Sequence, residues 1–155
     1  MDISLRSTLV VPSRREALTC VLHWAECFRG KPLTNIFAVD PISNEVWLRY
    51  KVALAEGFTN VVRHAHKTLP PETPVELQIQ VEQRSLILRV WDSGPPFDFK
   101  KKLNNFLTQP RPKAPAAGGY GLVIMHRAAD VLEYERGKDN RNCLTLIWKL
   151  QGERT

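Results

Sequence analysis

Glu56, Asn60 and His64 fall at i, i+4 and i+8 within EGFTNVVRH, a spacing that stacks three polar side chains on one face of a helix. Such a pair of carboxylate and carboxamide suits phosphate chemistry. The Asn oxygen is a hard ligand for Mg²⁺, which also takes phosphate oxygens and waters. The carboxylate one turn earlier can accept a proton from a water or hydroxyl attacking a γ-phosphate. The same spacing also suits the polar face of any half-exposed helix, so the stripe alone decides nothing. Asp92-Ser93-Gly94 follows a strand-like run. An Asp there can accept a hydrogen bond from an adenine amino group, while Gly94 lets backbone approach the base. Asp-x-Gly is equally ordinary turn chemistry. Gly119-Tyr120-Gly121-Leu122 opens a helix after a long loop. Glycines and free N–H groups at a helix start bind anions, although a simple hinge uses the same residues.

The elements that must hold these residues are legible from hydrophobic periodicity. Residues 3–11 alternate as a strand. Ser13, with Glu16 three residues on, reads as the N-cap of a helix that ends at Gly30. A loop leads to Ser43, the expected N-cap of a second helix over roughly 43–67 that carries the polar stripe. Its apolar residues occupy more than one side, as expected of a helix that packs on a sheet and also lines something else. VELQIQVEQ and SLILRVWD, about 75–83 and 85–92, alternate with period two and are joined tightly enough for a hairpin. Residues 98–118, with Pro110, Pro112 and Pro115, read as a long lid loop. A helix to about Asp130 and two strands, about 131–136 and 142–150, complete the chain. The expected fold is α+β, a two-layer sandwich with helices on one face of a largely antiparallel, mixed sheet.

Bulk composition narrows the function classes. The 155 residues suit a single domain over 1–155, with 43% hydrophobic and 25% charged residues. No apolar run approaches the roughly 20 residues of a membrane span, and the N-terminus lacks a signal-peptide core. Cys20, Cys27 and Cys143 form no CxxC pair and read as buried thiols of a reduced cytoplasm. A cytoplasmic protein without a membrane partner is expected. The net charge of +6 invites a nucleic-acid reading. The basic residues are nevertheless spread along the chain, and no nucleic-acid-binding motif spacing is present, so direct nucleic-acid contact is not expected.

Taken together and in this order, the three motifs resemble the N, G1 and G2 boxes of the GHKL (Bergerat-fold) ATPases shared by DNA gyrase and histidine kinases: EGFTNVVRH, WDSGPPF and GGYGLVIMHRAAD. The chain looks closer still to the bacterial anti-sigma-factor serine/threonine kinases, most clearly over 46–150, where the closing NRNCLTLIWKL matches their last strand. A histidine-containing dimerisation helix or a transducer domain, expected of a sensor kinase or a gyrase-like motor, is not seen. The resemblance implies ATP and Mg²⁺ as ligands. It implies Glu56 as general base towards a partner's serine or threonine, and Asn60 as Mg²⁺ ligand. Asp92, with Gly94 beside it, would read adenine, and Gly119 and Gly121 would form the hinge and phosphate-facing end of the lid. An adenine-side Thr of the family falls at Cys143 in one alignment and at Thr145 in another. His64 is expected to be structural, and Arg111 and Lys113 are lid cations within reach of a γ-phosphate or simply solvated. The implied partners are an anti-sigma-factor antagonist of the STAS type, a sigma factor or other regulator, and a second copy of the chain in a homodimer. The competing expectation is a nucleotide-dependent binding switch that turns nothing over.

Overall fold

The computed structural model describes residues 3–37, 39–82, 84–108 and 120–150. Its elements run β1 (Ser4–Pro12), a 3-10 turn (Arg15–Ala17), α1 (Leu18–Arg29), α2 (Lys31–Ile36), α3 (Asn44–Asn60), a π-helical turn (Val61–Ala65), β2 (Pro74–Glu82), β3 (Ser85–Asp92), α4 (Phe99–Thr108), α5 (Tyr120–Ala128), β4 (Val131–Arg136) and β5 (Asn142–Lys149). The strands form one sheet in the order β1-β2-β3-β5-β4. Each neighbouring pair is antiparallel, so the expected mixed character is absent among the described strands.

Period two decides which face each residue covers. Leu77, Ile79 and Val81 on β2 lie in register with Val90, Leu88 and Leu86 on β3, which in turn meet Leu144, Leu146 and Trp148 on β5, while Val75 pairs with Val11 on β1. These side chains are buried and form one cluster with Leu54, Phe58, Leu122 and Met125 of the helices. The opposite face carries polar residues such as Gln78, Arg89 and Thr145, with Arg89 donating to Gln78 and Gln80 across the strands. Helices therefore cover one face only, as the sequence implied.

Ser43 caps α3 as expected, accepting a hydrogen bond from the Val46 N–H at 3.2 Å. Ser13 does not cap α1. Its N–H donates to the Thr73 carbonyl at 2.9 Å, prolonging the β1 edge, and its hydroxyl is buried without a partner among the described residues. The helix then starts through the 3-10 turn. Two further helices stand where loops were expected. Pro32 near the start of α2 is compatible with a first turn, because the N–H it lacks would have no intrahelical acceptor there. The first half of the expected lid is α4. Asp98 accepts from the Lys101 N–H at 3.1 Å, and Phe99 and Leu103, one turn apart, are buried. Residues 109–119, the rest of that segment, lie outside the described residues.

α3 is held by aromatic packing. Tyr50 stacks on Trp47 with centroids 5.1 Å apart and tilts against Trp148 at 5.1 Å. Trp47 donates to Glu26 at 3.2 Å and Trp148 donates to the Ala128 carbonyl at 2.7 Å. Tyr50 is fully buried, and its hydroxyl has no such partner among the described residues, so its phenol is pushed well above its ordinary pKa by desolvation. An unsatisfied buried hydroxyl costs about 1–3 kcal/mol. Tyr50→Phe, which removes it while keeping the ring, is expected to raise the unfolding free energy by about 1 kcal/mol. Urea unfolding reads this as a higher midpoint at unchanged slope; a lower midpoint would mean that the hydroxyl is satisfied.

Candidate functional site

The motif residues converge because α3 crosses β3 and packs beside α5. Gly57 sits at this crossing: a Cβ there would lie 3.5 Å from Val90 and 3.6 Å from the Met125 sulfur, ordinary contact distances, so the packing is close without requiring glycine. Beyond Asn60 the helix loosens into the π-helical turn, closed by the His66 N–H donating to the Val61 carbonyl at 2.8 Å. Such turns are rare and cluster at functional sites. Here the turn brings His64, Ala65 and His66 over the end of β3.

A cavity of about 180 Å³ lies between these elements. Asn60, His64 and Ala65 line it from α3 and the π-turn, Val90, Asp92, Leu144 and Tyr134 from the sheet, and Phe97, Phe99 and Lys102 from the segment leading into α4. Across the sheet, Val90, Leu144 and Tyr134 are register neighbours, as are Asp92, Asn142 and Arg136. The floor is thus the first of these rows with Asp92 from the second, whose Asn142 and Arg136 do not line the cavity. Phe99 stacks on Tyr134 at 5.4 Å and Phe97 tilts against it at 4.8 Å, fixing the start of α4 to the cavity wall.

Asp92 is 8% exposed. Its Oδ1 accepts from the Gly94 N–H at 2.8 Å and from Asn142 Nδ2 at 2.9 Å. Both hydrogen bonds go to one oxygen, and among the described residues no donor is bonded to Oδ2. Gly94 is required by space. A Cβ there would stand 2.4 Å from the Ala65 carbonyl oxygen, and backbone cannot yield as a flexible side chain can. His66 fastens the same turn from the other side, accepting from the Ser93 N–H at 2.8 Å through Nε2. Burial lowers the His66 pKa, with Asp92 opposing the shift. Burial also lowers that of His64, helped by Lys102, Arg63 and Lys67.

The sequence-implied residues are sorted by this geometry. Asn60 and Asp92 face one cavity, and His64 joins them in its wall. Glu56 lies one turn before Asn60 on α3 and outside the cavity wall, against α5: a Cβ on Gly121 would be 3.2 Å from Glu56 Oε2. Gly94 shapes the turn beside the floor without lining it. Gly119, Arg111 and Lys113 lie outside the described residues. Cys143 is a correction. It pairs with Trp91 in register and touches Thr145 at 3.6 Å, on the face of the sheet opposite to Leu144 and the cavity. Neither Cys143 nor Thr145 lines the cavity, and Cys20 and Cys27, expected to be buried, are exposed. The strand residues on the correct face are Asn142 and Leu144. Asn142, Arg136 and Lys102 were not singled out from sequence. The first two gain their role from cross-strand register, and Lys102 from a helix hidden among prolines.

A family model for the histidine kinase-like ATPase domain matches residues 12–148. The chain belongs to that family. Membership implies an ATP site, and the cavity fits one. At about 180 Å³ it is smaller than the roughly 300–1,000 Å³ of a drug-sized pocket. A cavity of that size takes a planar base sooner than a whole nucleotide. Among curated proteins, the chain is 35% identical over 89 residues to the serine-protein kinase RsbW of Bacillus pumilus (strain SAFR-032), a match that covers 55% of each. The chain thus spans about half the length of that relative. No described helix is long and apolar enough to cross a membrane.

The two depressed histidines make stability depend on pH. Below their ordinary value of 6.5 the unfolded chain binds protons that the folded chain refuses. Their contribution is complete above that value and declines as pH falls towards the folded-state values. The urea midpoint is expected to drop between about pH 7 and about pH 5.5. His66→Gln, which keeps an acceptor for the Ser93 N–H, is expected to flatten part of this drop. An identical profile in the variant would remove His66 from the explanation.

Proposed function

We propose that the chain is an ATP-dependent protein serine/threonine kinase of the anti-sigma-factor type. It phosphorylates a STAS-type antagonist and sequesters a sigma factor or comparable regulator while the antagonist stays phosphorylated. The observation that carries the reading is the buried Asp92 carboxylate at the cavity floor. One of its oxygens is occupied by Gly94 and Asn142 and the other is left for an amino group. The relative named above supports the kinase class.

ATP supplies the γ-phosphoryl group, and Mg²⁺ neutralises charge as it moves. Asn60 offers one hard oxygen, which suits an ion bound mainly by phosphates and water. Among the described residues no group of three or more His, Cys, Asp or Glu side chains could hold a metal unaided. Glu56, on the same helix face and one turn outside the base cavity, takes the proton of the attacking hydroxyl. That oxygen bonds phosphorus as the bond to the β-phosphate oxygen breaks. Lys102 in the cavity wall adds positive charge, and its ammonium lies 5.1 Å from the Phe97 ring centre.

Calorimetric titration with ATP, with and without Mg²⁺, is the first test. Wild type is expected to bind in a Mg²⁺-dependent manner. Asp92→Ala is expected to weaken binding at least about 10-fold, because it removes a charge-assisted hydrogen bond. Asn60→Ala is expected to reduce the Mg²⁺-dependent part of the affinity more than Glu56→Gln does. Glu56→Gln is expected to spare binding and to slow transfer of γ-phosphate to a partner protein by about 10²–10⁴-fold. Absence of ATP binding would sink the kinase reading. Binding without transfer by wild type would leave a nucleotide-dependent switch, and equal transfer in Glu56→Gln would take the base role from Glu56.

A further inference from the structure

The polar row Asp92–Asn142–Arg136 has a chemistry of its own. Asn142 is 1% exposed and has both amide hydrogens engaged, 2.9 Å to Asp92 Oδ1 and 3.0 Å to the Gly94 carbonyl. Its oxygen accepts from Arg136 Nη1 at 3.1 Å, and the same Arg136 nitrogen donates to the Gly94 carbonyl at 3.0 Å. Reversing the amide would set its oxygen against two acceptors and its nitrogen against a guanidinium. The orientation is therefore fixed by its neighbours.

We propose that Asn142 is a positioning residue that sets base choice, holding Asp92 so that the site accepts a 6-amino purine and rejects a 6-oxo purine. The proposal rests on the nucleotide reading of the cavity. Two donors on Oδ1 stop the carboxylate from turning and confine its free acceptor capacity to Oδ2. An adenine amino group brings a hydrogen to that oxygen. A 6-oxo purine brings a carbonyl oxygen instead, which leaves two acceptors facing each other away from water. The floor neighbours Val90 and Leu144 offer no hydrogen bond that could compensate. Without the Asn142 donor, Oδ1 keeps only the Gly94 N–H and the carboxylate turns more freely, so discrimination weakens along with affinity. Arg136 acts one step further back: it holds the Asn142 oxygen and so keeps the amide hydrogens aimed at Asp92 and Gly94.

Asn142→Thr and Asn142→Val test this, since both are β-branched, nearly equal in shape and compatible with a strand, and differ by one hydroxyl donor. Each is titrated with ATP and with inosine triphosphate in the presence of Mg²⁺. Wild type is expected to prefer ATP. Asn142→Val is expected to weaken ATP about 10-fold or more while changing inosine triphosphate much less, and Asn142→Thr to keep most of the preference. An unchanged ATP-to-inosine ratio in Asn142→Val, or an equal loss of both ligands, would overturn the proposal in favour of a packing role. Asn142→Asp supplies an independent arm should the Val variant not fold. It sets a second carboxylate against Asp92, so ATP affinity is expected to rise as pH falls and the pair comes to share a proton. A pH-independent Asn142→Asp variant would overturn the proposal. Failure of the nucleotide reading looks different: wild type binds neither ligand, or Asp92→Ala binds ATP as wild type does.

Discussion

The close contact between Gly94 and the Ala65 carbonyl is the constraint on which the site depends. It brings the turn after β3 against the π-helical turn after α3, at a distance that no side chain on residue 94 would permit. Everything polar nearby serves to keep those two backbones together without water. His66 takes the Ser93 N–H, Asp92 takes the Gly94 N–H, and Asn142 with Arg136 satisfies the Gly94 carbonyl. Buried backbone groups left unpaired here would cost more than the contact gains, since each loses its hydration. The network thus makes the glycine approach tolerable and, in the same act, aims Asp92 into the cavity.

This arrangement also explains why α3 changes character where it does. An α-helix continued past Asn60 would carry residues 61–65 along its own axis. The π-turn widens the last turn and lets His64 and Ala65 fall beside the cavity, while Asn60 stays on the regular helix. The stripe read as i, i+4, i+8 is regular over Glu56 and Asn60 and gives way to the wider turn at His64. In the proposed reading, Asn60 on the rigid helix would hold the metal and phosphates, and the wider turn beside it would shape the wall of the base cavity.

What could be read from sequence follows the range of each signal. The strands at 74–82 and 85–92 and the Ser43 cap depend on neighbours within a few positions, and their alternation or cap chemistry stands in the chain itself. α4 was hidden because Pro110, Pro112 and Pro115 suggested a loop over the whole of 98–118. Its signal was only the short stripe Phe99, Leu103 and Phe106 behind the Asp98 cap. Asn142 could not be found locally at all, because its partner Asp92 is 50 residues away and the pair exists only through the β3–β5 register. Cys143 shows the same limit from the other side. The resemblance located the correct strand, but moving one residue along a strand reverses the face, and the alignment carried no information about which face met the helices.

The same geometry bears on how a nucleotide could influence the exterior in the proposed reading. Phe99 and Lys102 belong to α4 and to the cavity wall at once, while Lys100, Lys101 and Leu107 of that helix are exposed. α4 is anchored inward by the Phe99–Tyr134 stack and by Leu103, a narrow apolar stripe on an otherwise polar helix. A base lying on Val90 and Leu144 would touch the inner residues of a helix whose outer side meets solvent. Few buried contacts hold the helix, so a modest change in cavity packing is a large fraction of what fixes its position. Coupling between nucleotide and partner thus needs no long path through the core, because one short helix already spans from the cavity to the surface.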